Sequence, residues 1–315
     1  MRFFILCLSF VLLASPARAQ TYAVVVEGLG GTADFQEAFS ESSDHYSRGL
    51  LSLENDASLI IQLDETATRN DILATIEQQA ARIQQDLDSA NGESLAEPVF
   101  ILILTGHGNA DNEGWRFNVI GPDLSSGDLI AALNTVPASR QLVVLAASAS
   151  GAALDSISQL GRVLVTATKS GGEINAVRFH TFLADAMQSD VADYDRNEIL
   201  TIAEAYRFAE ARTTEYFEQQ NLLASEHSRL RGEEADNIAV ALLGSLRDAK
   251  DDPVVASLLD ERLGLEQTFK ALRQRKSEMP VDVYYSELEI LLLSIARLQQ
   301  SIDEATGWSD GDANS

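Results

Sequence analysis

The chain has 315 residues, 45% of them hydrophobic, and a formal net charge of −25. That length suits one large domain or one domain with an appendage. The acidity argues against nucleic acid and anionic membrane surfaces, which both select basic patches, and its plain consequence is solubility.

Residues 1–19 read as a signal peptide. Arg2 supplies a short basic start, Phe3 to Leu13 an apolar centre, and Ala17-Arg18-Ala19 an A-x-A cleavage site. The apolar run is too short to span a bilayer. Cys7, the sole cysteine, lies inside that run rather than at the cleavage point, which argues against a lipoprotein. The expectation is export to the periplasm, with no membrane span in the mature chain. The mature chain then has no disulfide, no thiolate ligand and no cysteine nucleophile, and relies on its core.

Thr21 to Glu27 is the first expected strand, and Gly28-Leu29-Gly30-Gly31 the turn after it. Asp34 to Leu51 has the spacing of a helix, Ser58 to Leu63 of a second strand. Thr68-x-x-Asp71 caps a helix whose Ile72, Ile76, Ala80, Ile83 and Leu87 share a face. A polar loop at 89–97 leads to PVFILILTGHGN at 98–109, a buried apolar run that stops at Thr105-Gly106-His107-Gly108. Trp115 to Ile120 is a candidate short strand, and Ser125 to Leu133 a helix. Gln141 to Ser148 is another buried run, stopping at Ser148-Ala149-Ser150-Gly151. Gly151 to Leu160 reads as a helix, Arg162 to Thr168 as the fifth buried strand, Ala176 to Gln188 as a helix, and Thr201 to Gln220 as a long helix. Strands alternating with helices in this way imply an α/β domain with a mostly parallel sheet. After about Gly244, two amphipathic segments, Asp251 to Lys276 and Asp282 to Glu304, form a helical hairpin. The expected divisions are 1–19 leader, 20–246 α/β domain, 247–305 hairpin and 306–315 disordered tail.

If the two runs that end at His107 and Ser148 are parallel neighbours, both residues leave the sheet at one edge, where open α/β sheets place their sites. TGHG at 105–108, ASASG at 147–151, TAT at 166–168 and the acidic loop with its helix, DYDRNEILTIAEAYRFAEA, together resemble the caspase-like peptidase superfamily. Within it the chain is most similar to the legumain-like (C13) branch and its exported bacterial relatives, over about residues 21–245. The resemblance implies a three-layer domain, no required cofactor, and a peptide or protein bound in a cleft at the carboxyl edge of the strands. It implies that His107 is the catalytic histidine, that the backbone N–H of Gly108 is the oxyanion donor, and that Ser148 stands where the family carries its nucleophilic cysteine. A thiol is intrinsically nucleophilic, whereas a hydroxyl needs an oriented base. The expected function is therefore a peptidase homologue without cysteine catalysis, serving in binding or assembly. The alternative is an active endopeptidase with Ser148 as nucleophile and His107 as base. Glu27, ending the strand beside the histidine strand, is the candidate to orient the imidazole; otherwise it is a polar strand end. His107 and the small-residue run around Ser148 also have a purely structural reading.

Asp193, Asp195, Asn197, Ile199 (through its carbonyl), Thr201 and Glu204 match positions 1, 3, 5, 7, 9 and 12 of a calcium loop. Position 6 should be glycine and is Glu198. The competing reading is an acidic loop entering a helix through a Thr201-x-x-Glu204 capping box. Gly28-x-Gly30-x-x-Ala33 imitates a dinucleotide fingerprint, but Asp34 would repel a pyrophosphate and TGHG would remain unexplained. His45, His180 and His227 lack partners at zinc-ligand spacing. The hairpin is read as a brace or, if its apolar seam is exposed, as a partner site.

Overall fold

The computed structural model describes residues 20–89 and 97–307. The leader, most of the polar loop and the tail beyond Gly307 lie outside the described residues. In chain order the elements are β1 (Thr21–Glu27), α1 (Ala33–Leu53), β2 (Ile60–Leu63), α2 (Arg69–Ser89), β3 (Val99–Gly106), β4 (Gly108–Asp111), β5 (Gly114–Phe117), β6 (Leu124–Ser125), α3 (Ser126–Leu133), β7 (Arg140–Ala147), α4 (Leu154–Ile157), β8 (Arg162–Thr166), α5 (Phe179–Ala186), β9 (Ile199–Thr201), α6 (Ile202–Gln219), β10 (Arg229–Arg231), β11 (Ala239–Leu242), α7 (Gly244–Asp248), α8 (Pro253–Gln274) and α9 (Val281–Thr306).

The main sheet runs β10-β8-β7-β3-β1-β2. Five of its strands are parallel, and β10 is an antiparallel edge. Its central strands carry unbroken apolar runs because helices cover both faces. Ala23, Val25, Ile101, Ile103 and Val144 point to one face, against Tyr46 and Leu50 of α1 and Phe179 and Leu183 of α5. Tyr22, Val24, Phe100, Leu102 and Val143 point to the other, against Ile72 and Ile76 of α2 and Leu129 and Leu133 of α3. The result is a three-layer α/β domain. Chain order reverses direction along the sheet between β3 and β1, so a crevice opens at their carboxyl ends.

Three local outcomes differ from the sequence expectations. The second strand starts at Ile60, because Asp56 accepts the Ser58 N–H at 2.9 Å and folds Ala57–Leu59 into a 3-10 turn. The helix expected from Gly151 is only a 3-10 turn, Ser150–Ala153, followed by the single turn α4. Gly151 gives its N–H to Thr168 Oγ1 at 2.9 Å, which ties this segment to the loop after β8. The chain after the histidine strand forms a small sheet, β4-β5-β6, of which only the middle strand was anticipated.

The C-terminal hairpin, α8 and α9, is present. Val255, Leu259 and Ile302 are buried in the same cluster as the α1 and α5 face, so the base of the hairpin is seated on the domain. Val281, Tyr285, Ile290 and Leu292 of α9 are exposed. Among the described residues no helix is long and apolar enough to cross a membrane.

Candidate functional site

β3 and β7 are parallel neighbours with Gly106 opposite Ala147, so His107 and Ser148 follow directly from paired strand tips at one edge. β1 lies on the other side of β3 with Glu27 opposite Thr105. The three strand ends singled out in the sequence are therefore adjacent.

His107 is held on three sides. Its ring meets Phe35 and Phe39 of α1 edge-on, with centroids 5.0 and 5.1 Å away. Its Nε2 lies 3.1 Å from the Gly30 carbonyl. A carbonyl only accepts, so Nε2 is the donor here, which in the neutral ring leaves the lone pair on Nδ1. That makes Nδ1 the basic nitrogen. Gly30 is itself fixed: its N–H donates to Gln36 Oε1 at 2.8 Å, and a Cβ on it would lie 2.4 Å from the Gln36 nitrogen.

Glu27 does not orient the imidazole directly. Its carboxylate accepts from Gln36 Nε2, and no hydrogen bond joins it to His107. It acts at two removes, by fixing the amide that fixes the Gly30 turn. Glu27 is 3% exposed, and burial raises its pKa above the ordinary carboxylate value, against the Gln36 hydrogen bond. Gly30 and Gln36 are contacts of this site that residue-type reasoning missed. The glycine-rich turn was visible, but a backbone carbonyl has no residue signature.

Ser148 is 2% exposed, and its hydroxyl has no hydrogen-bond partner among the described residues. Its carbonyl accepts from Trp115 Nε1 at 3.0 Å. Ala149, next in the chain, takes a left-handed backbone with φ 57° at zero exposure. That conformation costs an alanine about 1–2 kcal/mol, and strain of this kind gathers at functional turns. Gly108 has to be glycine, because a Cβ there would lie 2.7 Å from the Ser148 carbonyl and 2.7 Å from Trp115 Nε1. The Asn118 N–H donates to the His107 carbonyl at 3.0 Å, which makes Gly108–Phe117 a non-hydrogen-bonded pair of the β4–β5 ladder. The Gly108 N–H therefore points away from β5.

The acidic loop enters α6 through the capping box, the plainer of its two sequence readings. The capping box forms: Thr201 N–H and Oγ1 donate to Glu204 Oε2 at 3.0 and 2.8 Å, and Glu204 N–H donates to Thr201 Oγ1 at 3.3 Å. Carboxylate oxygens of Asp193, Asp195 and Glu204 also lie within 4.8 Å of one another. Partial desolvation, then the charges of Glu204 and Asp193, push Asp195 up to about 6. Asn197 donates from Nδ2 to Asp195 at 2.7 Å and accepts the Ile199 N–H at 2.7 Å. Glu198, where a calcium loop carries glycine, nevertheless takes the left-handed conformation with φ 59°. Its carboxylate caps α7, accepting from Ser245 N–H at 3.0 Å and Leu246 N–H at 2.9 Å. His180, buried and accepting or donating at Nδ1 to Ser42 Oγ at 2.9 Å, is part of the core.

No protein-family model matches the chain, and no curated protein matches it. Among solved structures, the chain is similar to the crystal structure of caspase-1 from Spodoptera frugiperda, at 11% identity and a TM-score of 0.47, over 73% of this chain and 90% of that one. It is also similar to the structure of pro-sf-caspase-1, at 12% identity and a TM-score of 0.45, over 73% of this chain and 96% of that one.

Proposed function

We propose that this protein is an exported, periplasmic caspase-like homologue of the legumain-like (C13) branch that binds a peptide or protein segment at the strand tips without cysteine-type hydrolysis. The observation that carries this reading is the pairing of His107 and Ser148 on adjacent strand ends, with Nε2 committed to Gly30 and the Ser148 hydroxyl buried and unbonded. The base is oriented, but the hydroxyl has no hydrogen bond to it. A serine without a coupled base loses most of the rate a thiol would give at the same place. The acidic chain favours basic or neutral peptides as occupants.

Two experiments test this. A fluorophosphonate probe is expected to leave the wild type unlabelled. Labelling that Ser148→Ala abolishes would overturn the reading in favour of an active endopeptidase with Ser148 as nucleophile and His107 Nδ1 as base. Ser148→Cys is expected to gain peptide hydrolysis that a second change, His107→Ala, removes.

A further inference from the structure

The turn that follows Ser148 is tied to the loop after β8. Thr168 Oγ1 accepts the Gly151 N–H at 2.9 Å, and the Glu173 carbonyl accepts the Ala149 N–H at 2.8 Å. Between these anchors Gly171 fits closely, since a Cβ on it would lie 3.0 Å from Ala110 Cβ and 3.1 Å from Ala152 Cβ. Ala110 belongs to β4 and Ala152 to the turn after Ser148, so the loop bridges both walls of the site. The outer side of the loop is solvent: Lys169, Ser170, Gly172 and Ile174 are exposed. The loop is thus one chain segment thick.

A side-chain latch holds the loop down. Glu173 Oε2 accepts the N–H groups of Lys169 at 2.9 Å and of His227 at 3.1 Å. Its Oε1 lies 2.5 Å from His227 Nδ1 and 3.4 Å from Lys169 Nζ. One carboxylate therefore gathers both ends of its own loop and the segment that enters β10.

We propose that segment 168–175 is an autoinhibitory lid, latched by Glu173 to His227 and Lys169, whose opening exposes the Ser148 hydroxyl and the Ala149 N–H together. An arriving peptide would replace the Glu173 carbonyl as acceptor of that N–H. The open state relieves a buried, unpaired hydroxyl, which offsets part of the cost of breaking the latch. This inference rests on the reading of His107 and Ser148 as a peptide site, but it is tested without substrate.

The test uses the full chain carrying Cys7→Ser and Ser148→Cys, so that the introduced thiol is the only one. Its reaction with a disulfide reagent such as DTNB is followed in native buffer. The thiol is expected to react far more slowly than in the urea-unfolded chain, and Glu173→Ala is expected to accelerate it about ten- to hundred-fold, the equivalent of one or two charge-assisted hydrogen bonds. His227→Ala is expected to give a smaller acceleration. A native thiol as reactive as the unfolded one overturns the lid. So does an unchanged rate in Glu173→Ala, or an acceleration no larger than its loss of global stability in urea. If Ser148→Cys does not fold, hydrogen exchange at the Ala149 amide of the wild-type and Glu173→Ala chains decides the question: protection in the first and its loss in the second is expected, and equal exchange overturns the proposal. Accelerated labelling of Ser148→Cys by Glu173→Ala, with no peptide hydrolysis by that opened double variant, leaves the lid standing and overturns the peptidase-type reading of the site.

Discussion

Replacing Ser148 by alanine should make the protein more stable. The Ser148 hydroxyl is buried and has no hydrogen-bond partner among the described residues, so folding strips it of water without a replacing bond there. Leaving such a group unpaired costs about 1–3 kcal/mol. Alanine removes that cost and gives up only the contacts of one oxygen atom, so a net gain of about 1–2 kcal/mol is expected. For a chain of this length that is on the order of 2–3 °C in Tm. Ser150, two residues on, is the internal comparison. It is equally buried, but its hydroxyl lies 3.3 Å from Thr168 Oγ1 and accepts the Thr168 N–H at 3.3 Å. Ser150→Ala strands that N–H and should destabilise by about 1–3 kcal/mol. Urea unfolding of the three chains, with a shared m-value, measures both effects. If Ser148→Ala is destabilising, or if the two variants shift in the same direction, the Ser148 hydroxyl has a partner in solution and the argument from an unpaired group is wrong.

Gly108→Ala should destabilise by about 1–3 kcal/mol and weaken the Trp115–Ser148 contact, since its Cβ would meet backbone on one side and the indole nitrogen on the other; urea unfolding and Trp fluorescence report it. Glu226 is 3% exposed and accepts the N–H groups of Arg178 and Phe179, yet burial pushes it up to about 7. A raised carboxyl means the folded state binds the extra proton, so stability is full below about pH 4.5 and falls by about 3 kcal/mol as pH rises through 7. Glu226→Gln should remove that slope, and parallel stability–pH curves for the two chains would count against it. Asp195 is raised in the same sense, so Asp195→Asn should stabilise the chain above pH 6. A destabilised variant is instead what a cation bridging Asp193, Asp195 and Glu204 would produce.

The sequence expectations that held share a cause. β1, β3 and β7 were found to within a residue or two because a strand buried on both faces needs an unbroken apolar run, and few other elements do. The start of α6 is legible from its cap, since Thr201 with Glu204 states the boundary, and in the structure Ser125 with Asp128 closes the same box at the start of α3. The misses have causes too. β10 and the β9–β11 pair are three or four residues long, too short to carry a period. The helix expected at Gly151 yielded to Thr168, seventeen residues downstream, which no local pattern announces.

The sequence by itself determined that a histidine and a serine end two buried strands, because burial on both faces dictates residue type along the whole run. Only the tertiary structure decided that these ends are neighbours, that the Gly30 carbonyl rather than Glu27 faces the imidazole, and that the Glu173 carbonyl takes the Ala149 N–H while its carboxylate meets His227. Those contacts join residues far apart in the chain, and two of them run through backbone carbonyls. Every residue but its side chain offers the same carbonyl, so which one faces a site is set by how the chain is folded and not by which amino acid bears it.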